Sequence, residues 1–244
     1  NNPTDRKAFE VQLGVRLQEL GAKIGQQREY LFPRQEAAVE IEEEINDIKI
    51  LLGSSIEKFA LGLLSEKDYR LRYAAIALLG TVKTESVMGR LIEHLDWLNR
   101  SGSGTLLWHN KGRQEQKIAM DTLLDFDHNE LLEKILSLGS HKGYIIRAAL
   151  AEILTRMTIQ EEKMFAVFKF LERMMNDDDV LPRVYAIIAL REIAFASLNR
   201  SFIDRSVSAI EQRSWKEGNW IVYHLIANSL RRLGNKYSLC CPIL

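Results

Sequence analysis

Arg72-Tyr-Ala-Ala-Ile-Ala-Leu-Leu-Gly80 opens on a base, runs through small residues and closes on a leucine pair before a glycine. Read as a helix, it presents Ala74, Ala75 and Ala77 as a small surface, with Leu78 and Leu79 adding bulk and Gly80 marking the stop. Small side chains let a neighbouring helix come close, while the leucines fill the space above. The inner layer of a stacked helical array needs such a helix, because it packs against its own hairpin partner and against both adjacent pairs.

Looser echoes open at Lys117, Arg147, Val184 and His224, at intervals of 45, 30, 37 and 40 residues. Two places after each opening stand Ala74, Ala119, Ala149, Ala186 and Ile226. Six places after stand Leu78, Leu123, Ile153, Leu190 and Leu230. The small slot five places on reads Ala77, Thr122, Glu152, Ala189 and Ser229, so Glu152 breaks it. A helix pair with two short turns fills roughly 40 residues, which makes the pattern a repeat. The competing reading is a non-repetitive all-α domain whose inner helices share alanines.

Composition removes several function classes. The chain has 244 residues, 33 basic and 33 acidic, so no global field draws it to nucleic acid or an acidic membrane. No apolar run reaches the length of a membrane span and no signal peptide opens the chain. Its two cysteines, Cys240 and Cys241, are adjacent, which argues against a disulfide framework and for a reducing, cytoplasmic compartment. The first residue is Asn, so the chain is expected to be processed or part of something longer.

Residues 1–53 read as an N-terminal helical hairpin. Its first helix is basic (Arg6, Lys7, Arg16, Lys23, Arg28) and breaks at Phe32-Pro33. The second is acidic and carries an apolar stripe of Ala38, Ile41, Ile45, Ile48, Leu51 and Leu52. Gly53-Ser54-Ser55 is a boundary with an N-cap. Residues 54–236 then give five helix pairs, and 237–244 a tail. Asp177-Asp178-Asp179 is expected to cap the second helix of the fourth pair. The apolar Trp220-Ile-Val-Tyr-His-Leu-Ile stretch is expected to lie inside the final repeat, and the tail Tyr237–Leu244 to cover the exposed end of the stack.

Chemistry is sparse. The longest irregular stretch, Asn99 to Gly112, holds Ser-Gly-Ser-Gly and Trp108, but no phosphate-binding pattern. His94, His109, His128, His141 and His224 lack metal-ligand spacing, and no nucleophile or dinucleotide motif occurs. The sequence therefore points to no cofactor, no metal and no catalytic residue. Arg72, Lys117, Arg147 and Arg183 recur near the starts of inner helices, and a repeat lines such positions up as one basic surface with Trp108 at its edge. That surface is the candidate binding site. Cys241-Pro-Ile-Leu244 fits a prenylation box, with Cys240 available for a second acyl chain; an apolar tail packed on the last pair explains the same residues.

The pattern over residues 55–234 resembles the HEAT repeat family, whose second helix opens near Val-Arg and runs into Ala-Ala-x-Ala-Leu-Gly. Arg72–Gly80 is the closest match and Arg147-Ala-Ala-Leu-Ala-Glu-Ile-Leu154 the next. The usual proline of the first helix is missing, and Asp68-Tyr-Arg only echoes the expected Asp-Val before Arg. The resemblance implies a right-handed α-solenoid and a scaffold that binds another protein, or further domains of its own chain. The second expectation is nucleic-acid binding through the basic stripe, as in the HEAT-like alkylated-DNA glycosylases, although no catalytic motif of theirs is present.

Overall fold

The computed structural model describes residues 3–29, 35–100 and 110–237. They form an all-α protein, without strands among the described residues. In chain order the helices are α1 (Pro3–Glu29), α2 (Gln35–Leu52), α3 (Ile56–Leu63), α4 (Tyr69–Leu79), α5 (Glu85–Arg100) and α6 (Asn110–Leu124). There follow α7 (His128–Ser137), α8 (Tyr144–Leu154), α9 (Met164–Met175), α10 (Val180–Ala196), α11 (Arg200–Ser214) and α12 (Trp220–Tyr237). Every helix read from the sequence is present, with ends shifted by a few residues. The chain divides into two compact units, one up to Phe126 and one from Asp127.

In the first unit α4 is central, packed against α1, α3 and α6. Six of its residues, Tyr73 to Ile76, Leu78 and Leu79, are fully buried. Leu13, Leu17, Leu20 and Ile24 of α1 are buried as well. Gly21 makes the α1–α4 crossing possible: a Cβ there would lie 1.8 Å from the main-chain oxygen of Arg70. The N-terminal hairpin is thus built into this unit, and the expected boundary at residue 53 falls inside it. The reason is local. A single 3-10 turn, with Gly53 at φ +52°, carries α2 directly into α3, and the Ser55 side chain makes no cap bond. The opposite charges of α1 and α2 do pair, antiparallel, through Arg16 with Glu44 (2.7 Å) and Lys23 with Glu40 (3.6 Å).

In the second unit α8, α10 and α12 lie side by side, α10 touching both others, while α9 packs on α7, α10 and α11 from the other layer. Asp127 and Asn199 accept main-chain N–H bonds at the starts of α7 and α11, as good N-caps do. At the far end the Tyr237 hydroxyl donates to the Ala194 carbonyl (2.7 Å), closing the C-terminus of α10.

The repeat slots of both units match the interior. Ala74, Ala119, Ala149, Ala186 and Ile226 are buried, and so are Leu78, Leu123, Ile153, Leu190 and Leu230. Gly80 stands at the stop of α4 as expected; its φ is ordinary helical and it gives space there, since a Cβ would lie 2.9 Å from Thr122 Cγ2. Two expectations need correction. The Asp179 side chain caps nothing, because that turn serves another purpose described below. Of the Trp220–Ile226 stretch only Val222 and Ile226 are buried; Trp220 is 70% exposed, together with Ile221, Tyr223 and His224. The apolar residues there wrap round α12 on both faces, and one face meets no helix among the described residues. The Ser-Gly-Ser-Gly run, Trp108, His109, the Phe32-Pro33 break and Ser238–Leu244, with Cys240 and Cys241, lie outside the described residues.

Candidate functional site

The candidate arginines share one geometry. Arg72, Arg147 and Arg183 each stand four residues after an N-cap, Asp68, Gly143 and Asp179 respectively. In each, Nη1 donates to the two carbonyls just before that cap. They are Glu66 and Lys67 for Arg72, His141 and Lys142 for Arg147, and Asp177 and Asp178 for Arg183. The other edge of each guanidinium meets a carboxylate in bidentate fashion. Arg72 binds Glu115 at 2.7 and 2.8 Å, Arg147 binds Asp177 at 2.6 and 2.7 Å, and Arg183 binds Glu217 at 3.0 and 3.1 Å. The planar fork of arginine suits this double duty, which an ammonium cannot perform.

The pairs are sheltered. Side-chain exposure is 9% and 1% for Arg72 and Glu115, 13% and 12% for Arg147 and Asp177, and 9% and 1% for Arg183 and Glu217. Burial pushes each carboxyl upward, yet its hydrogen bonds outweigh that and hold the pKa below the ordinary value. His94 and Arg72 do this for Glu115, Arg147 and the Asp179 N–H for Asp177, and the Asn219 N–H with Arg213 and Arg183 for Glu217. The Asp177–Asp179 turn is therefore an arginine receptor rather than a cap. The same geometry moves the fourth phrase by one residue: its opening is Arg183, and Val184 is only part-buried.

The basic stripe consequently does not form as read. Arg72, Arg147 and Arg183 are tied into the protein, and Lys117 alone of the described candidates is exposed. Trp108 lies outside the described residues. Glu115 adds a feature that sequence reading missed. It also accepts from His94 Nε2 (2.8 Å), and the His94 ring stacks on Trp97 at 5.2 Å between centroids. The Arg72 guanidinium lies 5.4 Å from the centroid of that same indole. A small cavity of about 200 Å³ adjoins His94 and Trp97. The other described histidines serve turns or the surface. His141 Nδ1 accepts from the Gly143 N–H and His128 Nδ1 from that of Thr158, while His224 sits edge-on to Trp220. Among the described residues no group of His, Cys, Asp or Glu is arranged to hold a metal, and no helix is long and apolar enough to cross a membrane.

The larger opening is a groove of about 500 Å³ in the first unit. Its floor and walls come from Ile24 of α1, Ile41 and Ile45 of α2, Ala77 and Gly80 at the end of α4, and Ile118 and Thr122 of α6. The apolar stripe of α2 explains it. Ile48 is fully buried, Ile41 and Ile45 are half-buried, and Ala38 is exposed, so the stripe is covered at one end and leaves the protein at the other. The small residues Ala77 and Gly80 keep the opposite wall low. Glu42 and Asp125 bring carboxylates to the lining. The sequence held the stripe and the small residues; what it lacked was the angle at which α2 departs from α4 and α6.

No protein-family model matches the chain, and no curated protein matches it in sequence.

Proposed function

We propose that this chain is a non-catalytic protein-binding module: a right-handed, HEAT-like array of about five helical pairs after an N-terminal hairpin, acting as a scaffold. Its contact region is the groove between α2 and the α4–α6 pair. The observation that carries this reading is the pairing of an uncovered apolar stripe on α2 with a wall of small residues on α4 and α6. Such a concavity receives side chains of another protein without any catalytic geometry.

Nucleic-acid binding, the second reading, drew on a row of free arginines. Arg72, Arg147 and Arg183 each carry a bidentate carboxylate, which removes most of the charge that would meet a phosphate backbone. Lys117 and Arg70 add little, as Arg70 is paired with Asp68 at 2.7 Å.

Two measurements test the proposal. A labelled DNA duplex titrated at about 50 mM and about 200 mM salt should show no binding at either. Tight binding with a steep salt slope overturns the protein-binding reading. Co-purification from a cell extract should retain a protein on the wild-type chain that is lost on Ala38→Trp, a substitution that fills the groove from an exposed position. Equal retention on both removes the groove as the contact region.

A further inference from the structure

We propose that the segment taken by the groove is an amphipathic helix of a partner protein, with large apolar side chains on one face and lysine or arginine at its flanks. This rests on the reading of the groove as the binding site and names its occupant.

Helical shape follows from the uncovered stripe. Ala38, Ile41 and Ile45 recur at the spacing of one helix face, three and then four residues apart. Beyond Ile48 nothing among the described residues covers them fully. A helix laid alongside such a ridge interdigitates with it, whereas an extended strand finds no free sheet edge to join.

The sign of the flanking charge follows from the lining. Its charged side chains are Glu42 on α2 and Asp125 in the turn just after α6, and among the described residues no Lys, Arg or His lines the groove. Three other acids of α2 are engaged by α1: Glu44 and Asp47 with Arg16, and Glu40 with Lys23. Glu42 and Asp125 have no ion-pair partner among the described residues. One stands on α2 and the other just past the end of α6, on separate parts of the lining, so a helix lying between them passes both. A basic flank gains attraction on each side, and an acidic segment or a phosphate chain is repelled. With the whole chain at zero net charge, this selectivity comes from placement.

The test is selection of a phage-displayed library of short helical peptides on the full chain. Winners are then measured by fluorescence anisotropy against wild type, Ala38→Trp and the double variant Glu42→Lys/Asp125→Lys. All three substituted positions are exposed, and circular dichroism with thermal melting verifies that each variant folds. The expected winners carry apolar residues at helical spacing flanked by Lys or Arg. Their affinity should fall at least about tenfold in the charge-reversed variant and vanish in Ala38→Trp. Winners blocked by Ala38→Trp but indifferent to charge reversal, or flanked by Asp and Glu, keep the groove and overturn the basic helix. Winners indifferent to Ala38→Trp, or no enrichment over that variant, overturn both.

Discussion

Replacing Glu115 with alanine removes the acceptor of two buried donors at once. Arg72 keeps the Glu66 and Lys67 carbonyls but loses its counter-ion, and His94 Nε2 loses its only recorded partner among the described residues. Breaking a buried pair from one side costs about 3–5 kcal/mol; the two carbonyls that stay on Arg72 place the expected loss near the bottom of that range, about 3 kcal/mol. At roughly 3–5 °C per kcal/mol for a unit of this size, Tm falls by about 10–15 °C. Glu115→Gln keeps the volume and one acceptor oxygen but gives up the charge and sets a donating NH2 against a donor of Arg72 or His94, so its loss should approach that of Glu115→Ala. Arg90→Ala is the control, because its pair with Glu93 is 56% and 65% exposed and contributes less than about 1 kcal/mol. Trp97 reports the event directly, since its ring stacks on His94 and lies 5.4 Å from the Arg72 guanidinium. The chain has four tryptophans, so a background with Trp108, Trp215 and Trp220 changed to Phe isolates its fluorescence during urea unfolding. A loss for Glu115→Ala no larger than that for Arg90→Ala would refute the view that this buried charge network holds the first unit together.

Acid should act through the same carboxylates. Glu115, Asp177 and Glu217 sit below their ordinary values of 4.5, 3.8 and 4.5, so the unfolded chain binds more protons as pH falls. Their contribution is complete above those values and is lost on descent through the lower folded ones; Tm against pH should drop steeply below about pH 4, and less steeply in Glu115→Gln. Gly21→Ala should destabilise by about 3 kcal/mol, since its Cβ meets the Arg70 backbone, and the α1–α4 crossing must open. Gly139→Ala should cost clearly less in the same melt, because its nearest obstacle is the movable end of the Arg173 side chain, 1.9 Å away. Tyr237→Phe removes the hydroxyl that closes α10 and should cost about 1 kcal/mol by chemical denaturation.

The helices themselves were legible because their signals are local. Alternation of small and large residues after Arg72 and Arg147 marks the same buried slots that the structure fills. The function of the arginines was not, because each carboxylate partner lies 30 to 43 residues downstream. One partner, Glu115, sits inside a helix, another, Asp177, in a turn, so no fixed spacing links them. Alignment on small residues also slipped by one at Val184, where Ala186 and Ala189 fit either register and only the guanidinium geometry chooses Arg183. The exposed Trp220 shows the complementary limit. Hydropathy reports what a residue prefers, and α12 has more apolar surface than its neighbours cover.

Asp177 has a double allegiance with a mechanical consequence. Its side chain grips Arg147 from the preceding pair, while its main-chain oxygen accepts from Arg183, which in turn reaches forward to Glu217. Detaching α11 and α12 would strip Arg183 of its counter-ion, and loosening Arg183 would slacken the turn that holds Arg147. Each link thus raises the free energy of a neighbour's departure, a strong coupling between adjacent helices of the second unit. Under load or in exchange with deuterium, the second unit then resists peeling from its end, and the amides of its inner turns open together as one block.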